Sequence, residues 1–366
     1  MRIVFITNSI GFGGAEKMMA FVANGMAHRG HRVSVINFNS IGDYVNDNQQ
    51  SFEDDIEINN FRTNSSGRLI RIQKIKFSID VVKRFHADVM VCFTAFPNYA
   101  GKIISLVTGV PSIMSERGNP YATINKKNIP SLIELTLINH SAGAIFQIPG
   151  AAKFYSKGLQ KRGTIIPNPI FVNEMLNPVK LSEREKSIVS VGRLDNEQKR
   201  YDVMIKAFSL FVERYPDWVL KLYGTGADEA LIKQWCVEEG VADKVLFMGI
   251  SKHPMLDTNK AGMFIITSDF EGISNSLLEA MAIGLPCVST DSAPGGARML
   301  IDNMNNGLLA PIGNPEKIAE AMGLFACNPL FAQKCGEKAK EVISRFDPIL
   351  TLDKWENYIR KFEDKI

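Results

Sequence analysis

Two acidic residues, Glu271 and Glu279, flank the start of a predicted helix and are the first candidates for chemistry in this sequence. The turn between them begins with the small and polar residues Gly272, Ile273, Ser274 and Asn275. Backbone N–H groups at such a helix N-terminus bind anions or hydroxyls. A carboxylate like that of Glu279 can accept two hydrogen bonds from a vicinal diol such as a ribose. The alternative is that Glu279 is an ordinary surface residue of the helix.

Two cations, Arg193 and Lys199, lie in the segment "VGRLDNEQKRYDVMIKAF" (191–208), after a predicted strand and before a predicted helix. At the carboxyl end of a strand they could bind a diphosphate, arginine through its planar fork and lysine as a point charge. A solvated loop with surface cations is the alternative. Gly224, in the strand–loop–helix segment 223–232, could add a backbone contact to the same ligand.

A glycine-rich loop in 9–27 provides a second place for a phosphate. Gly13 and Gly14 would let backbone N–H groups approach an anion at the start of a helix. A tight strand-to-helix turn without a ligand is equally consistent with these residues. A dinucleotide site fits poorly, because the third glycine of that motif would fall at Glu16.

The segment 67–85 combines positive charge with helical apolar spacing. Residues 68–84 hold six Lys and Arg side chains against one Asp, and apolar residues recur from Leu69 to Val82. A basic amphipathic helix of this kind could rest on an anionic membrane surface. Most such helices instead pack on their own domain with their cations in water, which is the alternative.

Short β-branched runs alternate with helical patterns along the chain of 366 residues, which predicts parallel sheets covered on both faces. Each half has enough units for its own doubly wound α/β sheet. We predict domains at 1–168 and 169–349, joined through the proline-containing segment 165–186, with a helix at about 350–366 crossing back onto the first. The strand candidates are 2–8, 32–38, 88–94, 111–116, 142–148, 187–192, 218–224, 244–249, 262–267, 286–290 and 307–311.

Composition and motifs exclude several classes of function. No run of eighteen apolar residues, secretory leader or C-x-x-C pair occurs, which favours a cytoplasmic protein with free thiols, whether free in solution or peripheral at the inner face of a membrane. The five histidines have no metal-ligand spacing and D-x-D is absent, so we expect no metal cofactor. Residues 1–168 contain 19 basic and 11 acidic residues, a net charge of +8, so this half should meet anions. We expect no nucleic-acid partner.

Taken in order, these motifs resemble family 4 of the retaining glycosyltransferases. The resemblance covers nearly the whole chain and rests above all on "DFEGISNSLLEAMAIGLPCVSTD" followed by "NNGLLAP". The segments "GGAE", "SERGNP" and "IPNPI" are similar to those of bacterial members that extend capsule, O-antigen or lipid-linked glycans. Such a protein would have the GT-B fold, two Rossmann-like domains facing across a cleft.

The resemblance also implies roles for the candidate residues. The C-terminal domain would bind a nucleotide-sugar donor, with UDP expected, and the N-terminal domain a glycan or polyprenyl-linked acceptor. Arg193 and Lys199 would hold the diphosphate with N–H groups of Gly14 and of 273–275, while Glu279 would hold the ribose and Glu271 the sugar. Many relatives have a histidine where this chain has Arg117, which could instead contact the donor phosphate or the acceptor. A GT-B sugar-nucleotide epimerase and a non-catalytic binding subunit remain as alternatives.

Overall fold

The computed structural model describes residues 1–11, 14–38, 51–63, 68–172 and 179–365. The chain divides into two compact units: unit 1 comprises Met1–Asn168 and Ile349–Ile366, and unit 2 comprises Pro169–Pro348. Among the described residues, no helix is both long enough and apolar enough to span a bilayer.

Unit 1 is built on a seven-stranded sheet of order β3-β2-β1-β4-β5-β6-β7, in which every pair is parallel. Strands buried on both faces read as continuous apolar runs, and all five residues of the central β4 are buried. The strands are β1 Arg2–Thr7, β2 Arg32–Asn37, β3 Glu57–Asn60, β4 Val89–Phe93, β5 Ser112–Glu116, β6 Gly143–Phe146 and β7 Gly163–Ile165.

Helices cover both faces of this sheet. α1 packs on one face, α2 and α3 share a core on the other face, and α5 and α7 extend that core towards β6. The helices of this part are α1 Gly14–His28, α2 Arg68–Phe85, α3 Ala95–Thr108, α4 Pro120–Thr123, α5 Ile129–Asn139, α6 Pro149–Ala152 and α7 Lys157–Arg162.

The basic segment at 67–85 forms helix α2, but its apolar residues do not form one buried stripe. Val81 and Val82, near its C-terminal end, are each 1% exposed and belong to the core. Leu69 and Ile72, near its N-terminal end, are each 64% exposed. Only the later turns of α2 therefore pack on the sheet.

Unit 2 repeats the architecture with a six-stranded parallel sheet of order β10-β9-β8-β11-β12-β13. The strand order reverses at β8, where the chain passes from one half of the sheet to the other. Its strands are β8 Ser187–Val191, β9 Val219–Tyr223, β10 Val245–Gly249, β11 Met263–Ile266, β12 Cys287–Thr290 and β13 Leu308–Ala310.

The helices of unit 2 begin at the carboxyl ends of these strands, where the connecting loops form one edge of the unit. α9 and α14 pack together on a core that also includes side chains of β8, β9 and β11. The helices are α8 Asn196–Lys199, α9 Tyr201–Val212, α10 Glu229–Glu238, α11 Pro254–Thr258, α12 Asn275–Ala282, α13 Gly296–Leu300, α14 Pro315–Cys327, α15 Pro329–Ala339 and α16 Val342–Arg345.

The last helix, α17 Pro348–Ile359, returns to unit 1 and completes its core. Trp355 is fully buried and its ring stacks on Phe93 with centroids 5.7 Å apart. Glu356 accepts hydrogen bonds from Arg29 at 2.7 Å and pairs with His31 at 3.1 Å. Burial opposes its charged form, but hydrogen bonds from Arg29, Arg360 and His31 outweigh burial and lower the pKa of Glu356 to about 2.

Candidate functional site

In unit 2, the predicted site residues gather at the edge formed by the carboxyl ends of β8, β9, β11 and β12. Lys199 and Glu271 form the centre of this group, with the Lys199 Nζ lying 2.5 Å from the Glu271 Oε1. Their side chains are 15% and 14% exposed, so the ion pair is largely shielded from solvent. The hydroxyl of Ser268 donates a further hydrogen bond to the same carboxylate oxygen at 3.1 Å.

Hydrogen bonds between two loops hold Lys199 in place. The Thr267 hydroxyl, at the end of β11, donates to the Lys199 carbonyl at 2.8 Å and to the Arg200 carbonyl at 3.1 Å. The Gln198 side chain donates to the Phe270 carbonyl at 3.1 Å. The loop that carries the cation and the loop that carries the acid are thus fixed to each other through backbone groups.

Arg200, next to Lys199, has a structural role, because its guanidinium is bonded to two acids of the protein. Its guanidinium forms a two-pronged pair with Asp202 and also contacts Asp269 at 2.7 Å. Hydrogen bonds from these two acids raise the pKa of Arg200 above its ordinary value. Arg200 therefore ties α9 to the loop after β11, in a left-handed backbone conformation with φ 53°.

Arg193, unlike Lys199, is open to solvent. Its side chain is 74% exposed, and its guanidinium lies 3.9 Å from the Asp195 carboxylate, which is a long distance for an ion pair. An exposed pair at that distance contributes little to stability. The guanidinium can consequently turn towards an anion at this edge with little loss of internal bonding.

At two places near these loops, a glycine lies in close contact with the backbone of another glycine. A Cβ on Gly224, whose φ is +132°, would lie 1.9 Å from the Gly192 carbonyl oxygen. A Cβ on Gly296 would lie 1.5 Å from the Gly272 carbonyl oxygen. No side chain fits at either position, so the loops after β8 and β9, and those after β11 and β12, meet through bare backbone.

The turn between the glutamates leads into α12 as predicted. Ser274 is the N-cap, and its hydroxyl accepts a hydrogen bond from the Leu277 N–H at 3.4 Å. Asn275 begins the helix, and Gly272 and Ile273 in the preceding turn are buried. The first N–H groups of a helix lack partners within it and carry a partial positive charge, so this end favours an anion.

Glu279 lies in the second turn of α12 and is partly exposed. Its neighbours Leu278 and Ala280 are buried. Glu271 therefore precedes the N-cap of α12 in the chain and Glu279 lies inside the helix, as the sequence predicted.

The candidates in unit 1 are less defined. Gly13 lies outside the described residues. Gly14 begins α1 and is exposed, and the Ser9 hydroxyl donates to the Glu16 carboxylate at 3.1 Å across this loop. A phosphate contact by Gly14 stays a prediction.

Arg117 points into unit 1. Its guanidinium donates to the Ser115 hydroxyl at 2.8 Å and to the Ile166 carbonyl at 2.9 Å. It also lies 5.0 Å from the Trp355 ring and 5.9 Å from the Phe93 ring. The guanidinium is enclosed, and burial lowers the pKa of Arg117 to about 9. This geometry packs Arg117 against aromatic rings and leaves its Nη2 atom buried without a hydrogen-bond partner. A contact of Arg117 with the donor phosphate or the acceptor stays a prediction.

Sequence reasoning did not find the Lys199–Glu271 pair or its supports, Thr267 and Ser268. A usable signal was present in "GMFIITSDFEG", because two hydroxyl residues directly follow an apolar strand. In a parallel sheet, residues just past a strand face the ligand edge. The distance between Lys199 and Glu271 depends on tertiary structure, since 72 positions separate them in the chain.

Comparison with known proteins finds glycosyltransferases among those similar to this chain. Residues 172–342, which lie within unit 2, match the family described as "Glycosyl transferases group 1". An "Uncharacterized glycosyltransferase" of Haemophilus influenzae is 26% identical over 365 residues, covering 97% of this chain and 98% of that protein.

A second relative comes from Campylobacter jejuni: "N-acetylgalactosamine-N,N'-diacetylbacillosaminyl-diphospho-undecaprenol 4-alpha-N-acetylgalactosaminyltransferase". It is 32% identical over 170 residues, 45% of this chain and 44% of that protein. Among solved structures, Anabaena Alr3699/HepE in complex with UDP superposes with a TM-score of 0.80 at 16% identity, covering 99% of this chain and 100% of that chain. The fold is therefore GT-B, with two Rossmann-like α/β domains. The similar proteins support glycosyltransferase activity for this chain.

Proposed function

We propose that this protein transfers a hexose or N-acetylhexosamine from a UDP-sugar to a glycan or lipid-linked acceptor, with retention of anomeric configuration and without a metal ion. The observation that carries the proposal is the shielded Lys199–Glu271 pair, which lies on the same edge of unit 2 as Arg193 and the capped start of α12. One edge thus presents two cations and a helix N-terminus for a diphosphate, and two carboxylates for hydroxyls.

The donor's diphosphate would occupy the cations. Arg193 and Lys199 bind its oxygens, and the N–H groups of 272–275 complete the contact. Glu279 accepts hydrogen bonds from the ribose diol, and the Gly224 backbone leaves room for the nucleotide. When the diphosphate draws the Lys199 ammonium, the Glu271 carboxylate is released to orient the hydroxyls of the sugar.

Breaking the anomeric bond leaves negative charge on the departing diphosphate and positive charge on the sugar. Fixed cations and a helix N-terminus stabilise that leaving group without a metal. For retention we propose a front-face displacement. In this step the acceptor oxygen forms a bond to the anomeric carbon while the bond from that carbon to the diphosphate oxygen breaks. The departing diphosphate oxygen takes the proton of the acceptor hydroxyl. UDP is the proposed nucleotide because the Anabaena protein binds it.

The test is a panel of UDP-hexoses and UDP-N-acetylhexosamines, isotopically labelled in the sugar, incubated with the protein in the presence and absence of EDTA. Thermal shift selects the donor first, since a ligand at 100 times its dissociation constant stabilises by about 2.7 kcal/mol. Sugar transfer, or slow hydrolysis of the donor that persists in EDTA, is the expected result. Epimerisation at C2 would identify an epimerase instead, and binding without turnover would identify a non-catalytic subunit.

A further inference from the structure

Strand β10 lies at one edge of the sheet of unit 2, and its sequence is apolar. Within the described residues, β9 is its one neighbour in the sheet. The run from Val245 to Ile250 contains no charged residue and no proline. Natural edge strands commonly carry charges or proline, which prevent other chains from pairing with them. β10 lacks this protection, so its edge is open to a partner strand.

Large apolar side chains on one face of β10 are open to solvent. Leu246 and Met248 are 42% and 45% exposed, and Ile250, just after the strand, is 75% exposed. Val245, on the opposite face, is buried and belongs to the core of unit 2. Side chains alternate between the two faces of a strand, so the exposed ones share the uncovered face. We call Leu246, Met248 and Ile250 the edge patch.

The backbone of β10 also has hydrogen-bonding groups that point away from the sheet. The Leu220 N–H of β9 donates to the Lys244 carbonyl at 2.9 Å. Backbone groups of successive strand residues point to opposite sides, so those of Lys244 and Leu246 face β9. The N–H and C=O groups of Val245 and Phe247 therefore point outwards, where no other described strand pairs with β10. β10 can accept one more strand.

A second copy of the chain fits this edge, because β10 is complementary to itself. Two β10 strands related by a two-fold axis run antiparallel, as in an isologous interface. With Phe247 opposite its symmetry mate, Leu246 of one copy lies opposite Met248 of the other. The same pairing brings Asp243, exposed before the strand, close to Lys252, exposed after it. Opposite charges then meet at both ends of the contact, with apolar side chains between them.

We propose that the protein forms a two-fold symmetric dimer in which β10 pairs antiparallel with β10 of a second copy. The pairing joins two six-stranded sheets into one continuous sheet and covers the edge patch. One pair of strands is a small contact, so the dimer should be weak and concentration-dependent. Dimer formation needs no donor, so the proposal does not depend on sugar transfer.

The experiment is sedimentation velocity of the full chain at concentrations from about 1 to 100 μM, which gives the dimer dissociation constant. We expect a monomer–dimer equilibrium for the wild type. Leu246→Lys/Met248→Lys should weaken the dimer at least about tenfold, because lysines of both copies would meet across the strand pair. The matched control is Ile312→Lys/Leu330→Lys, at positions 50% and 74% exposed and outside β10, which should dimerise like the wild type.

Charge reversal at two exposed positions tests the antiparallel arrangement and does not depend on the lysine variant folding. Asp243→Lys and Lys252→Asp each bring like charges together at both ends of the contact, so each should weaken the dimer at least about fivefold. Asp243→Lys/Lys252→Asp restores opposite charges and should dimerise like the wild type. A residue that acted only on the fold of the monomer would not be rescued in this way.

Three results would overturn the proposal. They are a wild type that stays monomeric over this range, a dimer that Leu246→Lys/Met248→Lys leaves intact, and a double charge variant as weak as the single ones. Hydrogen exchange should also show the amides of Val245 and Phe247 exchanging more slowly at high than at low protein concentration. UDP binding, measured on the same proteins, separates failure of this proposal from failure of the proposed transferase activity.

Discussion

At the scale of single residues, the arrangement that matters most is the Lys199–Glu271 pair. Both side chains are shielded, so separating them would cost free energy unless a ligand took the place of the lost partner. A diphosphate offers Lys199 an alternative anion, and a sugar offers Glu271 hydroxyl donors. In the proposed mechanism, the pair therefore keeps both groups in position before the donor binds.

Replacing Lys199 with Ala should lower kcat/KM for the donor by about 10- to 150-fold, because a charge-assisted contact contributes about 1.5–3 kcal/mol. Steady-state assay with the selected UDP-sugar measures this change. Lys252→Ala is the matched control, since Lys252 is an exposed lysine in the loop after β10. Donor kinetics of Lys199→Ala equal to those of the control would remove Lys199 from the diphosphate site.

At the scale of elements, the contact between Gly296 and Gly272 joins the loop after β12 to the loop after β11. Gly296→Ala places a Cβ 1.5 Å from the Gly272 carbonyl oxygen, which the backbone can accommodate only by moving. We expect unfolding free energy to fall by about 1–3 kcal/mol and donor affinity to fall with it. Urea unfolding and UDP titration measure the two effects.

Gly323→Ala is the control for that substitution, because its Cβ would meet Tyr215 at an ordinary 3.5 Å inside helix α14. Adding a methyl group to a helix interior should leave stability unchanged or raise it by up to about 1 kcal/mol. If both glycine variants behaved alike, the close approach at Gly296 would have no energetic importance.

Helix α17 supplies a prediction about pH. The pKa of Glu356 is about 2 in the folded chain against an ordinary 4.5, so its contribution to stability is complete above 4.5 and is lost as the pH falls towards 2. Glu356→Gln should lower the urea midpoint at pH 7, and its difference from the wild type should shrink below about pH 4.5. Glu363→Gln, at an exposed residue 3.5 Å from Arg360, should have little effect. A difference that stayed constant down to pH 3 would contradict the lowered pKa.

The elements also show how far sequence reasoning reaches. All eleven predicted strands are present, because continuous apolar runs between helices are a strong signal. The edge strands β3, "EINN", and β7, "GTI", were missed, since short strands with polar or small residues carry no such pattern. The loops of the candidate site were identified in order, whereas the pairing of Lys199 with Glu271 required the fold. The prediction of an apolar stripe along α2 was only partly right, because the periodicity does not show which turns of the helix contact the sheet.

At the scale of the whole molecule, charge differs between the two units. The net +8 of residues 1–168 is unchanged by residues 349–366, which add four basic and four acidic residues, so unit 1 stays positive while the chain totals +3. Unit 2 is left with a net charge of −5. The proposed donor site in unit 2 therefore depends on local cations and a helix end, while the net positive charge belongs to unit 1.

Calorimetry of UDP with the wild type, Glu271→Gln and Glu279→Gln tests directly whether this edge of unit 2 binds a nucleotide sugar. UDP has the ribose but no sugar. Glu279→Gln should therefore bind it at least about tenfold more weakly, through loss of a charge-assisted contact. Glu271→Gln should bind it as well as the wild type or better, because Lys199 is freed for the diphosphate. No binding of UDP to the wild type, or an equal loss of affinity in both variants, would contradict the assignment of this edge as a nucleotide-sugar site with divided roles for its two acids.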